Sequence, residues 1–118
     1  MKKIFYLKTC DTCKKILNQI DNLEQFDLQE IKENPVNEAQ LESMFAHTKS
    51  YEKLFNKRAQ LYKSLGLKDQ NLTEQDYKKY LLEHYTFLAR PVIFYEKQLF
   101  VGNAKSTIEN MLEVVNNH

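Results

Sequence analysis

The sequence contains little cysteine, glycine or proline and no tryptophan. Its 118 residues include 2 Cys, 2 Gly and 2 Pro, and no apolar run approaches the roughly 18 residues that a membrane-spanning helix requires. We therefore expect no membrane segment. A structural zinc site needs four ligands, and the 3 histidines form no second ligand pair beside the two cysteines. We therefore expect no bound metal.

An excess of charge of either sign is also missing. The sequence has 17 Lys+Arg against 16 Asp+Glu, a net charge of +1, so no general field attracts the protein to a phosphate backbone. We expect no direct binding of nucleic acid. The length fits one domain, and a hydrophobic content of 42% can supply a buried core. Two cysteines in a CxxC without a secretion signal favour a reducing compartment, so we expect a cytoplasmic protein.

Both cysteines lie in one motif, Cys10–Cys13, between a β-prone run at 2–7 and an amphipathic helical pattern. If the helix begins near Asp11, Cys10 precedes the first turn, where free backbone N–H groups and the helix dipole favour a thiolate. Positive charge is added nearby by Lys8, Lys14 and Lys15. Cys13 would lie one turn further on, within reach of a disulfide. The context predicts a redox-active pair, and the alternative is a pair of inert buried cysteines.

The apolar pattern around this motif predicts a strand, a helix and a second strand. The β-prone runs are 2–7 and 25–31, and a crossover of this length makes the two strands parallel. We expect the helix to carry an apolar stripe of Ile16, Leu17, Ile20 and Leu23. We expect the second strand to turn three side chains inward, those of Phe26, Leu28 and Ile31.

The middle of the chain, 36–86, is predicted to be helical. Asn37 can cap one helix, Thr73 and Asp76 resemble a capping box for another, and Gly66 can end a helix that contains 58–65.

The last third predicts a hairpin followed by a helix. A strand at 87–95 is introduced by Pro91, Glu96-Lys97 forms a two-residue turn, and 98–101 returns before an amphipathic helix. The expected fold is α/β, a mixed four-stranded sheet with flanking helices in a single domain spanning 1–118.

This order of elements resembles the thioredoxin fold. With an all-helical insertion between a βαβ half and a ββα half, the chain is similar to the arsenate reductase (ArsC)/Spx family. Three local matches carry the resemblance, and together they cover essentially the whole chain: 10–15, 55–58 followed by 65–67, and 88–93 followed by 101–102.

In the arsenate reductase branch, the resemblance implies that Cys10 is the nucleophile that attacks an arsenate-like oxyanion. Arg58 and Arg90 match two positions that clamp this anion, and they are the only arginines beside 15 lysines. A planar guanidinium suits bidentate binding of an oxyanion better than an ammonium does. Further candidates for substrate binding are Thr12, Lys14 and Lys105, of which Lys105 would substitute for a third arginine of that branch. Pro91 matches the cis-proline beside the nucleophile.

The resemblance also implies the reductant. No cofactor is expected to be bound; glutathione would be the co-substrate, and glutaredoxin or thioredoxin would supply the electrons. Two other functions remain open, because Cys13 stands where the reductase branch usually has serine. One is an Spx-like regulator that binds the RNA polymerase alpha subunit and uses the Cys10–Cys13 pair as an oxidation switch. The other is a general thiol–disulfide oxidoreductase.

Overall fold

The computed structural model describes residues Met1–Asn117. They fall into two units: one contains Met1–Asn34 and the chain from Arg90 onward, and the other contains Pro35–Ala89.

The first unit is built on one mixed sheet in the order β2-β1-β3-β4. Its strands are β1 (Lys2–Tyr6), β2 (Asp27–Glu30), β3 (Val92–Tyr95) and β4 (Gln98–Val101). β1 is parallel to β2 and antiparallel to β3, and β3 is antiparallel to β4. This arrangement confirms the α/β fold with a mixed four-stranded sheet that the sequence predicts.

Two helices complete this unit, α1 (Asp11–Leu17) and α5 (Lys105–Val115). Their apolar faces and the sheet enclose a core, because burying this surface is the main favourable term in folding. The buried members of this core are Ile4, Ile16, Leu17, Ile20, Phe26, Ile93, Met111 and Val115.

α1 begins where the sequence predicts, but it ends at Leu17, before the last two residues of the predicted apolar stripe. The N–H groups of Gln19 and Ile20 donate to carbonyls only three residues back, at 3.0 and 3.1 Å. This is the hydrogen-bond pattern of a 3-10 turn, so the α-helix ends here. Ile20 is still buried, but Leu23 lies in a separate 3-10 turn. The prediction that one helix carries both Ile20 and Leu23 is therefore wrong.

The predicted orientation of Leu28 is also wrong. Leu28 is 41% exposed, whereas Gln29 is only 5% exposed. β2 begins at Asp27, and alternation along a strand places Gln29, not Leu28, on the buried side. The Gln29 amide donates a hydrogen bond to the Asn34 carbonyl at 2.9 Å, which satisfies this buried polar group.

The hairpin forms around the predicted two-residue turn. Tyr95 pairs with Gln98, and Glu96 between them has φ of +55°. The strand before the turn is shorter than predicted: β3 begins at Val92, and Tyr85–Phe87 forms a 3-10 turn. Pro91 is buried, and the Arg90–Pro91 peptide is cis.

The second unit contains α2 (Glu38–Thr48), α3 (Gln60–Ser64) and α4 (Glu74–Glu83). Asn37 and Thr73 both form complete capping boxes, which confirms the two predicted helix starts. Gly66 follows α3 with φ of +68°, a conformation that glycine adopts readily. Phe55 is central to the aromatic core of this unit and contacts Tyr62, Tyr77 and Phe87.

Arg58 does not lie in a helix, contrary to the prediction for 58–65. Ala59 has an extended backbone, with φ of −61° and ψ of 139°, and α3 begins only at Gln60.

Across the described residues, Met1–Asn117, no helix has the length and apolar character needed to cross a membrane.

Candidate active site

Cys10 is the last residue before α1. It has an extended backbone, with φ of −89° and ψ of 111°, as a helix-capping residue requires. Its N–H donates to the Leu7 carbonyl at 3.0 Å, and its carbonyl accepts the Lys14 N–H at 3.1 Å. These two bonds fix the residue between the end of β1 and the first turn of α1. The side chain is partly exposed.

The pKa of the Cys10 thiol lies below its ordinary value. Partial burial by itself raises this pKa, because it disfavours the charged sulfur. The opposing groups are the backbone N–H and the thiol of Cys13, and the Arg90 guanidinium, all of which hydrogen-bond the sulfur. Because the positive charge of Arg90 adds to these bonds, the thiolate is favoured overall.

Cys13 has the opposite character. Its side chain is 0% exposed, and burial raises the pKa of its thiol to about 12. The Leu7 N–H opposes this increase, and the neighbouring Cys10 adds to it. Both cysteines are free thiols. The pair therefore consists of one partly exposed sulfur that ionises more readily than an ordinary thiol and one buried sulfur that stays protonated at neutral pH.

Arg90 is held by the segment that follows β4. The Asn103 side-chain Nδ2 donates to the Arg90 carbonyl at 3.3 Å, and the Gly102 N–H donates to the Pro91 carbonyl at 2.9 Å. Gly102 has φ of +84°, which favours glycine. Sequence reasoning missed this role of Asn103, because a side-chain tether to a backbone carbonyl has no motif of its own.

The structure thus brings Cys10, Cys13 and Arg90 into contact and places Pro91 directly after Arg90. Thr12 and Lys14 are exposed on α1, and Lys105 is exposed at the first position of α5. Lys14 also lines a shallow depression of the first unit together with Lys8, Thr9, Glu30, Lys32 and Glu33.

Arg58 belongs to the second unit. It is exposed, and its N–H donates to the Asn56 Oδ1 at 3.1 Å. It lines a depression of that unit with two further cations, Lys53 and Lys57.

Among residues 1–117, no group of three or more His, Cys, Asp and Glu side chains could hold a metal ion.

The sheet order, with a CxxC at the start of α1 and a cis-proline before β3, defines a thioredoxin-like fold. Within this class the particular family is clear, because the model of the ArsC family matches residues 5–111. The chain belongs to the ArsC family, which confirms the family resemblance drawn from the sequence motifs.

Solved structures share the fold of this chain. A possible arsenate reductase from Streptococcus mutans superposes with a TM-score of 0.75 at 23% identity, covering 94% of this chain and 97% of the other. An arsenate reductase from Vibrio cholerae gives a TM-score of 0.74 at 18% identity, covering 96% of each chain. An arsenate reductase (ArsC) related protein from Brucella melitensis gives a TM-score of 0.68 at 22% identity, covering 92% of each chain. At these identities the likeness shows the fold alone. No curated protein sequence matches the chain significantly.

Proposed function

We propose that the protein reduces arsenate-like oxyanions, with Cys10 as the nucleophile. Membership of the ArsC family supports a thiol-dependent reductase in general. The observation that carries the finer proposal is the contact between the Cys10 sulfur and the Arg90 guanidinium. This contact places a nucleophile and a fork-shaped cation beside each other, which is what attack on a tetrahedral oxyanion requires.

In this proposal Arg90 has two tasks. In the free protein it stabilises the Cys10 thiolate, and on binding it donates hydrogen bonds to the oxyanion. Arg58 is the proposed second clamp, and the proposed auxiliary contacts to substrate come from Thr12, Lys14 and Lys105. The cis peptide before Pro91 belongs to the backbone that carries Arg90.

The electrons come from thiols outside the chain. Reduction of arsenate to arsenite takes two electrons, which two thiols supply when they end as one disulfide. Cys13 is a poor second thiol because it is buried and its pKa is about 12. At pH 7 only about one Cys13 side chain in 10⁵ is therefore ionised. Glutathione, recycled by glutaredoxin, therefore fits the second thiol best, and thioredoxin is the alternative reductant. The proposed location is the cytoplasm, because its reducing conditions keep such thiols reduced.

A coupled turnover assay tests this function. The purified protein receives arsenate with glutathione and glutaredoxin, or in parallel with thioredoxin, while the loss of NADPH is followed. Arsenate-dependent turnover that disappears in Cys10→Ser supports the proposal. Absence of turnover with both reductants contradicts it.

The hydrogen bond between the Cys10 and Cys13 side chains favours a second candidate. Loss of two electrons and two protons to an oxidant such as a peroxide would join these sulfurs as a disulfide. An Spx-like regulator would use this change to alter its binding to the RNA polymerase alpha subunit. A pull-down with the reduced and the oxidised protein tests it: redox-dependent capture supports the regulator, and no capture in either state removes it.

A further inference from the structure

We infer that Glu30 is a positioning residue that holds the loop carrying Cys10. Glu30 is the last residue of β2. Its Oε2 accepts the N–H of Lys8, two residues before Cys10, at 2.7 Å. Its Oε1 accepts the N–H groups of Lys32 and Glu33 at 2.7 and 2.9 Å. One carboxylate therefore bridges two separate segments of the chain, using a different oxygen for each.

The bridge lies where two parallel strands end side by side. Tyr6, the last residue of β1, pairs with Glu30, and the Ile31 N–H donates to the Tyr6 carbonyl at 2.9 Å. Beyond this pair the chain leaves both strands in loops, one toward Cys10 and one toward Asn34. The Glu30 carboxylate holds these two loops together with bonds to a charged acceptor, which are about twice as strong as neutral ones.

Glu30 keeps its charge over the neutral range. Burial opposes ionisation, but the N–H groups of Lys8, Glu33 and Lys32 outweigh this effect and lower the pKa of the carboxyl. The bridge is therefore intact at the pH at which a thiol reductase would work.

Cys10 depends on this bridge through geometry. Its thiolate is stabilised by the Cys13 N–H and by Arg90, and hydrogen bonds weaken steeply when distance and angle change. A loop released at Lys8 would let the sulfur move relative to both donors, and the thiolate would lose part of its stabilisation. The inference rests on the proposed role of Cys10 as the reactive thiolate.

The sign of the effect separates positioning from charge. Removal of a nearby negative charge would by itself lower the pKa of Cys10, because a like charge disfavours the thiolate. Release of the loop would raise it. The two explanations therefore predict opposite shifts for the same substitution.

Glu30→Gln is the test, and Glu33→Gln is its matched control. The amide has one acceptor oxygen and can serve only one of the two segments, so the bridge is lost while the side-chain size is kept. Glu33→Gln removes the same charge in the same depression but keeps the backbone N–H that binds Glu30. The readout is the rate of alkylation of Cys10 by iodoacetamide against pH, with peptide mass spectrometry to locate the label.

We expect Glu30→Gln to raise the pH midpoint of Cys10 alkylation by about half a unit or more, which makes the reaction about threefold slower at a pH well below the midpoint. Glu33→Gln is expected to leave the midpoint unchanged or lower it. A midpoint in Glu30→Gln that is unchanged or lower overturns the inference, even if the thermal stability falls.

A second variant covers a failure of Glu30→Gln to fold. Glu30→Asp keeps the charge and both oxygens but shortens the reach by one methylene. If Glu30→Gln does not fold, a raised midpoint in Glu30→Asp comes from position alone, and a midpoint there that is unchanged or lower overturns the inference. A wild-type midpoint near the ordinary thiol value of about 8.5 would contradict the proposed function together with this inference. A low wild-type midpoint that neither Glu30 variant moves would contradict the inference only.

Discussion

The side chains of Cys10 and Cys13 are hydrogen-bonded to each other, yet their thiols titrate in opposite directions. The pKa of Cys10 is lowered, whereas burial raises that of Cys13 to about 12. The buried residue therefore acts as a hydrogen-bond donor to its partner more readily than as a second nucleophile. This asymmetry favours a mechanism in which one sulfur does the chemistry and the other supports it.

The first prediction separates these two roles by substitution. Cys10→Ser is expected to abolish arsenate-dependent NADPH consumption, because a serine hydroxyl is hardly ionised at neutral pH. Cys13→Ser is expected to retain most of it, since serine keeps both the backbone N–H and a side-chain donor to Cys10. Activity that survives in Cys10→Ser, or that disappears equally in Cys13→Ser, would contradict the proposed division of roles.

The second prediction concerns Arg90. Arg90→Lys keeps the charge but loses the planar fork, so we expect the KM for arsenate to rise by about tenfold, in line with the loss of one charge-assisted hydrogen bond. Arg90→Gln should in addition raise the pH midpoint of Cys10 alkylation, because the positive charge is lost. Lys97→Gln is the control: it removes one positive charge at the hairpin turn, the opposite end of β3 from Arg90. A KM unchanged in Arg90→Lys would remove Arg90 from the oxyanion site.

The third prediction concerns stability at alkaline pH. An unfolded thiol ionises near pH 8.5, whereas Cys13 in the folded protein does so at about 12. Between these values the folded state binds more protons than the unfolded state. The free energy of unfolding must therefore fall as pH rises, by up to about 1.4 kcal/mol per pH unit for one proton.

Cys13→Ser removes this contribution. Urea unfolding under reducing conditions between about pH 9 and 11 should show a shallower loss of stability in the variant than in the wild type. The 15 lysines titrate in both proteins, so the difference between the two slopes isolates Cys13. Equal slopes would show that the Cys13 thiol ionises similarly in the folded and unfolded chains.

The fourth prediction concerns the core beneath the site. Met111 on α5 is 0% exposed and belongs to the cluster that also contains Ile4 and Ile16. Met111→Ala is expected to lower the free energy of unfolding by about 2–5 kcal/mol, through lost apolar burial and the cavity left behind. Met111→Leu conserves most of the volume and should cost less than about 1.5 kcal/mol. Urea denaturation measures both, and similar losses would contradict a packing role.

Much of the fold could be predicted from the sequence because its signals are local. The cap at Asn37, the capping box at Thr73 and the two-residue turn at Glu96 each depend on a few neighbouring residues, and all three are present. The errors arose where a tertiary constraint overrides periodicity. The stripe of α1 continues past Leu17, but the chain must turn there to reach β2, and Leu28 follows the register of β2 and not its own hydrophobicity.

The candidate site was only partly predictable for the same reason. The CxxC motif predicts both Cys10 as a reactive residue and the start of a helix beside it. Arg90 could be predicted because it directly precedes Pro91, which matches a motif of the family. Asn103 and Glu30 carry no motif, because each acts through a hydrogen bond to the backbone of a residue distant in sequence. Such contacts follow from how the strands end next to one another, which only the three-dimensional arrangement shows.

The pH profile of cysteine alkylation in the wild-type protein tests directly whether Cys10 is the reactive thiolate. Iodoacetamide is added at a series of pH values under reducing conditions, and peptide mass spectrometry gives the label on each cysteine. If Cys10 is the reactive thiolate and Cys13 its buried partner, Cys10 is labelled first, with a midpoint below the ordinary thiol value of about 8.5, while Cys13 stays unlabelled until the protein unfolds. Equal labelling of the two cysteines, or a Cys10 midpoint at or above the ordinary value, would contradict it.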